Sequence, residues 1–338
     1  MKKSLLTLLI ASSLALSACD DKAVQAQNTQ LSQEISQKDQ TITKLNSELT
    51  ALKSEVEKLK AELKANQLAA ADNLSAIFVK EQILFEKSVV GLLEDKEQLA
   101  ELEKEITDKN SDDWKWQTQT PIEYQVSSLT TGIDWLDKLL IDQVFDYFSV
   151  AGSEGNPEVK IQNKQQLTSL LDKWVANAVE EAKAFRSIGQ TFDLDLNFLH
   201  QKENMATFTL FSHTYAGGAH GVYSTNYIVV DLKNKKKISL DDLFTKDNQA
   251  KLKERLWESY EARSRDDNGQ MHNTWVEKAE FRVPDNFYFS DTGIHFVYSV
   301  YELGSFAEGE IELDFMWQEL NPLLNKAYQK ELKESKFR

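Results

Sequence analysis

The chain has 338 residues, 41% hydrophobic and 28% charged, with 39 Lys plus Arg against 54 Asp plus Glu, 12 Gly, 4 Pro and a single Cys. This composition excludes a collagen, a disulfide-stapled scaffold and a polytopic membrane protein, and a formal charge of −15 disfavours nucleic acid, whose phosphates select Lys and Arg. One Cys leaves no intramolecular disulfide and no Cys-rich metal cage, and the net charge attracts basic macromolecules instead.

Residues 1–18 read as an export signal. Met1-Lys2-Lys3 is a positive n-region, and Leu5 to Leu16 is an apolar core too short to span a bilayer of roughly 30 Å. Leu16-Ser17-Ala18-Cys19 then resembles the lipobox of bacterial lipoproteins. The resemblance implies that Cys19 becomes the first mature residue and is lipidated, with palmitate among the acyl chains that fix it to the membrane. The alternative is an ordinary secretory peptide cut elsewhere, with Cys19 left spare. Without residues 1–18 the chain carries 37 basic and 54 acidic side chains, a charge of −17. Residues 19–23 form the lipidated N-terminus. Asp20 beside the lipid resembles a signal for retention at the periplasmic face of the inner membrane, with the outer membrane as the other destination.

Residues 24–70 are expected to be a coiled coil. From Val24 to Leu68 there is no Gly, Pro or aromatic residue. One seam runs Ile35, Ile42, Leu49, Val56, Leu63 and the other Val24, Leu31, Leu45, Leu52, Leu59. Mostly β-branched a positions with Leu at d favour a parallel dimer, and Glu48 with Lys53 and Glu55 with Lys60 are g-to-e′ pairs of opposite sign. Asn28 and Lys38 interrupt the membrane-proximal end. The expectation is a homodimeric spacer on the order of 65 Å long. A lone amphipathic helix folding back on the globular part would satisfy the same pattern.

Residues 71–119 read as a strand and helix connector: a strand over Leu74–Val90, a helix over Asp95–Asp108, and a linker or edge segment over Lys109–Gln119 holding Trp114 and Trp116 as partly packed aromatics. Residues 120–185 follow as a companion α+β region. It has a strand from Thr120 to Val126, helices over Ile133–Val150 and Gln165–Arg186, and a break at Gly152–Pro157. Residues 186–330 alternate strictly over Phe192–Phe198 and Met205–Tyr215. Further strands are expected at Asn226–Leu232, Phe287–Phe289, Ile294–Tyr301 and Ile311–Phe315. Lys235-Lys236-Lys237 reads as a turn. Ser239 or Asp241 caps a helix after Leu243 that buries Leu252, Leu256 and Tyr260. Adjacent strands interspersed with helices, without strict β-α-β alternation, predict an α+β fold: an N-terminal coiled-coil helix, then a globular module whose largely antiparallel sheet is packed by helices.

Tyr215-Ala216-Gly217-Gly218-Ala219-His220-Gly221 holds three glycines between two strand candidates, so it is a sharp connection with close backbone approach. It resembles the signature of the RsiV-like domain of unknown function, found in bacterial anti-sigma factors that sense lysozyme and beside the catalytic domain of PdaC-type peptidoglycan deacetylases. Asn226–Leu232, Ile238–Phe244, Phe289–Phe296, Tyr301-Glu302 and Ala307–Gly309 fit the same family, over roughly residues 190–325. The resemblance implies an extracytoplasmic binding module with Tyr215, Gly217, Gly218, His220, Gly221, Tyr301 and Glu302 as the candidate functional loops. Lysozyme and cell-wall material are the implied partners.

Catalytic motifs are sparse. His213 and His220 flank the glycine turn, His200, His272 and His295 lie elsewhere, and no zincin spacing, nucleophile elbow, P-loop or dinucleotide fingerprint is present. The expected role of the His220 ring is to bond its own loop and fix the turn. The sequence thus predicts a lipid-anchored cell-envelope protein that binds a wall-related or protein partner, is not an enzyme and needs no cofactor or metal. A lysozyme-binding inhibitor or sensor is the first alternative. A peptidoglycan-acting or metal-dependent hydrolase using His220 is the second.

Overall fold

A computed structural model describes residues 21–69, 76–149, 159–185, 187–264 and 274–330. The signal segment, Cys19, Asp20, the break at Gly152–Pro157 and His272 lie outside the described residues. Two compact units divide at Asn73 and Leu74.

The first unit contains α1, Asp21–Ala69, an uninterrupted helix of 49 residues over the predicted heptads. Leu31, Ile35, Ile42, Leu45, Leu49, Leu52, Val56 and Leu59 are all exposed along it. Ion pairs one turn apart, Lys44 with Glu48 and Lys60 with Glu57, run along its surface. No described helix is long and apolar enough to cross a membrane.

The second unit is α+β. In chain order it has β1 (Lys80–Leu92), α2 (Lys96–Glu105), α3 (Asp112–Thr118), β2 (Gln119–Thr130), α4 (Asp134–Tyr147), α5 (Lys164–Ala184), β3 (Gln190–Lys202), β4 (Met205–Tyr215), β5 (Val222–Asp231) and β6 (Lys236–Lys237). There follow α6 (Leu240–Leu243), α7 (Lys246–Arg263), β7 (Phe287–Phe289), β8 (Gly293–Tyr298), β9 (Ile311–Met316) and α8 (Trp317–Leu320). Strands β1 to β6 lie in sequence order in one sheet, and β7 to β9 form a second. Every neighbouring pair is antiparallel except β2 and β3. A parallel pair needs a long crossover, and α4 with α5 supplies it. The larger sheet therefore runs unbroken through the segments 71–119, 120–185 and 186–237.

One core lies between this sheet and helices α4 and α5. Leu136, Leu140 and Val144 of α4 and Leu167, Leu171, Val175, Ala178 and Ala182 of α5 recur at helical spacing and are buried. They meet Phe192, Leu194 and Leu196 of β3 and Phe208 and Leu210 of β4. Strand β5 serves two cores. Ile228 and Val230 face the first, while Val229, pointing the other way by the two-residue period, enters a second core. There it joins Leu252, Leu256, Trp257 and Tyr260 of α7 and Phe287, Ile294, Phe296, Tyr298 and Leu313 of the small sheet.

Four local readings are corrected. The segment Lys109–Gln119 contains the helix α3, which Ser111 begins by accepting a bond from the Trp114 amide at 3.1 Å. Ser239 caps the short α6, in a capping box with Asp242, and Thr245 caps the longer α7. The lysine turn turns at Lys235, at φ 55°, and its next two residues form β6. Strand β8 ends at Tyr298, so Tyr301 belongs to the connection after it, where its φ is 68°. In β1 the alternation breaks at a register shift between Ile83 and Phe85, which buries Leu84 and Phe85 together.

Candidate functional site

Two connections meet at the end of β4, β5 and β8. The first, Ala216–Gly221, joins β4 to β5. Gly217 and Gly218 have φ values of 88° and 98°, which L side chains rarely adopt, so the turn requires glycine there. Gly221 is required for a different reason: a Cβ there would lie 2.5 Å from Nε2 of His213 and 2.9 Å from the Thr214 carbonyl oxygen. His213 is itself paired with Asp193 on β3 at 3.5 Å. The Tyr215 hydroxyl donates to the Gly218 carbonyl at 3.0 Å and closes the turn. Beside it, Gly217 and Gly218 wall an open groove of about 560 Å³ whose other side carries the exposed Phe185 and Ile188.

His220 lies at the tip. Its Nδ1 is 2.9 Å from the Gly221 carbonyl oxygen, which can only accept, so the proton sits on Nδ1 and Nε2 is left to accept from the Tyr301 hydroxyl at 3.4 Å. The ring lies parallel on Phe306, with centroids 3.8 Å apart. Phe306 also meets Tyr223 edge-on at 6.0 Å and Tyr301 at 5.8 Å.

The second connection runs from β8 to β9. Tyr301 holds left-handed backbone, unusual for a bulky residue. Its carbonyl accepts from the Trp275 indole N–H at 3.1 Å. The Trp275 amide donates to the Tyr260 hydroxyl at 2.8 Å, and that hydroxyl donates to the buried Leu303 carbonyl at 2.8 Å. Glu302 is a brace: Oε1 accepts from Arg282 at 2.8 and 3.1 Å, and Oε2 accepts from the Ser299 amide. Further on, Ser305 and Glu308 form a capping box over the short 3₁₀ turn that carries Phe306.

Side chains from the second connection and from the residue before β7 are bonded to β5. Glu310 accepts from the Thr225 amide at 2.6 Å. Asn286 accepts from the Tyr227 amide and donates to the Thr225 carbonyl, both at 2.7 Å, in place of a ladder partner along the β5 edge. The result is a fixed surface with Tyr301 46% and Trp275 55% exposed and His220 exposed between the loops. Among the sequence-derived candidates, His220 and Tyr301 come into contact, Tyr215 and the glycines shape the turn, and Glu302 braces the second connection. Trp275, Phe306 and Tyr223 were not in that set. The Ser305-x-x-Glu308 box was the available signal for the turn holding Phe306. Among the described residues no three His, Cys, Asp or Glu side chains converge on a position that could hold a metal ion.

A search of family models matches the segment from Asp241 to Gln318 with a family described as "Protein of unknown function (DUF3298)". Residues 241–318 are a DUF3298 domain. The match takes in the connection carrying Tyr301 and Phe306 and lies C-terminal to the glycine turn. Of solved structures, a DUF3298 family member from Bacteroides fragilis NCTC 9343 is 17% identical with a TM-score of 0.50, over 74% of this chain and 95% of that one. A DUF3298 family protein from Pseudomonas aeruginosa PAO1 is 13% identical with a TM-score of 0.45, over 75% of this chain and 96% of that one. The first likeness extends to fold alone. No curated protein matches the chain.

Proposed function

We propose that this is a cell-envelope lipoprotein, anchored through Cys19 and dimerised along α1, whose C-terminal module binds an extracytoplasmic protein or wall partner through the surface of Tyr301, Trp275, His220 and Phe306. The observation that carries the reading is Tyr301. A bulky aromatic is held in a left-handed conformation with nearly half its surface in water, and its carbonyl is secured by an indole that is itself exposed. Such an arrangement costs about 1–3 kcal/mol and persists only where surrounding structure over-determines it. Exposed Tyr and Trp held rigidly are the side chains that dominate binding energy at protein interfaces. The ring nitrogens of His220 are taken up by Gly221 and Tyr301, which supports a positioning role there.

A lysozyme-type partner is the second reading. It is favoured by the RsiV-like resemblance of the Gly-Gly-Ala-His-Gly turn and by the charge of −17, which would speed encounter with a strongly cationic protein. Calorimetry against c-type lysozyme would then give nanomolar to micromolar affinity that weakens with added salt.

The test of the main reading is affinity capture from chemically crosslinked envelopes. Wild type and Trp116→Ala, which changes another exposed aromatic, should retain the same partner. Tyr301→Ala and Trp275→Ala should reduce its recovery by about tenfold or more. Equal recovery with all four proteins would remove this surface from the account.

A further inference from the structure

The hairpin between β7 and β8, inside the Phe289–Phe296 stretch of the RsiV-like resemblance and the matched segment 241–318, brings three chemistry-bearing side chains into line. Ser290 closes the hairpin, His295 lies on β8 and Glu312 on β9. The Ser290 Oγ is 2.7 Å from Nε2 of His295, and Nδ1 of the same ring is 2.5 Å from Oε1 of Glu312. A carboxylate can only accept, so Nδ1 carries a proton, and in the neutral ring Nε2 is then an acceptor for the Ser290 hydroxyl, whose other neighbours are the Thr292 hydroxyl at 2.9 Å and the Gly293 carbonyl at 3.4 Å. The other Glu312 oxygen accepts from the Tyr288 hydroxyl at 3.0 Å. The Tyr288 ring lies parallel to the imidazole, 4.5 Å between centroids, and fixes its plane. Burial, followed by the hydrogen bond to Glu312, pushes the Tyr288 hydroxyl well above its ordinary range, so it remains a donor to the carboxylate. Ser290 opens onto a cleft of about 1080 Å³, lined among others by Leu199, His200, Lys202, Tyr288 and Trp317.

We propose that Ser290, His295 and Glu312 form a nucleophile, general base and orienting carboxylate that hydrolyse a small carboxylic ester bound in this cleft. Nucleophile, base and orienter in this order are recognised by geometry rather than by sequence position. Ser290 Oγ attacks the ester carbonyl carbon as its proton passes to His295 Nε2. The tetrahedral intermediate collapses, the carbon–oxygen bond to the leaving group breaks, and the alcohol departs with the proton from Nε2. Water then attacks the acyl-enzyme, gives a proton to Nε2 and releases the carboxylic acid, and Ser290 recovers its hydrogen. Glu312 stays ionised throughout. The backbone N–H groups of Thr292 and Gly293 donate to Oγ at 3.2 and 3.1 Å in the free protein. Together with the Thr292 hydroxyl, 2.9 Å from Oγ, they hold the nucleophile oxygen in place beside His295.

The same bonds would exist if Ser290 only closed the hairpin, so the test reads reactivity. Detergent-purified full-length protein is treated with a fluorophosphonate, digested and analysed by mass spectrometry, and separately assayed with p-nitrophenyl acetate. The expected result is a phosphonyl adduct on the peptide containing Ser290. It should be absent in Ser290→Ala and reduced about tenfold or more in His295→Gln, and ester turnover should fall by about 100-fold or more in Ser290→Ala. Wild-type protein that is folded by circular dichroism yet neither labels at Ser290 nor exceeds the buffer rate would overturn the proposal without recourse to any variant. The two sites share no residue, so this outcome is independent of partner capture through Tyr301.

Discussion

Gly218 and Gly221 lie three residues apart and tolerate no side chain for different reasons. At Gly218 the obstacle is local: φ is 98° with nothing within 4 Å of an added Cβ, so Gly218→Ala should cost about 1–2 kcal/mol. At Gly221 the obstacle is His213, and Gly221→Ala forces that ring or the Thr214 backbone to move, which adds overpacking of about 1–3 kcal/mol and releases His213 from Asp193. Urea unfolding should show both variants destabilised, and the His213 ring resonances should move in Gly221→Ala and not in Gly218→Ala; unmoved resonances in Gly221→Ala would remove the ring contact from the account. Glycine enrichment is visible in a sequence, and so is the sharp turn it implies. The requirement at Gly221 is not, because it arises from a ring brought in by strand pairing. Tyr301 was hidden for a related reason: Ile294 to Tyr301 reads as one alternating strand, while the chain leaves the ladder at Tyr298.

At the scale of elements, α6 hangs on Asp242. Burial pushes the Asp242 carboxyl up, but bonds from Lys236 and from the Ser239 backbone and hydroxyl outweigh it and hold the carboxyl below its usual range. A carboxyl depressed in the folded state adds stability above the unfolded value, about 4, and loses it as pH falls through the folded value. Asp242→Asn should cost about 1 kcal/mol at neutral pH and progressively less in acid, as read by thermal unfolding at a series of pH values. A cost that does not change with pH would remove the charge from the argument. Helix α1 poses a simpler question. A soluble chain starting at residue 22 should sediment as a dimer and one starting at Leu74 as a monomer, whereas two monomers would leave the exposed seam without a partner. The regular elements, β3, β4, α5 and α7 among them, follow from periods of two and 3.6 residues and could be read directly. The Asn286 and Glu310 bonds to the β5 edge could not, since each joins residues that are distant in sequence, and neither could the meeting of Glu312 with Ser290 and His295, which depends on the pairing of β8 with β9.

At the scale of the whole molecule, the two cores share β5, so the connections at its end are fixed by the packing of both sheets. That rigidity is what a preorganised binding surface needs, because little ordering is left to be done on association. The membrane tether is a separate matter and rests on the lipobox-like residues. Cys19→Ser should release the protein from the membrane fraction and remove the acyl mass from the intact chain. Retention with unchanged mass would place the anchor elsewhere. The central claim, that a tethered module captures an envelope partner through Tyr301, is tested most directly in living cells by replacing Tyr301 with photoreactive benzoylphenylalanine. Irradiation should give a discrete crosslinked species in the membrane fraction that the same replacement at Trp116 does not give; no product from position 301, or identical products from both positions, would contradict it.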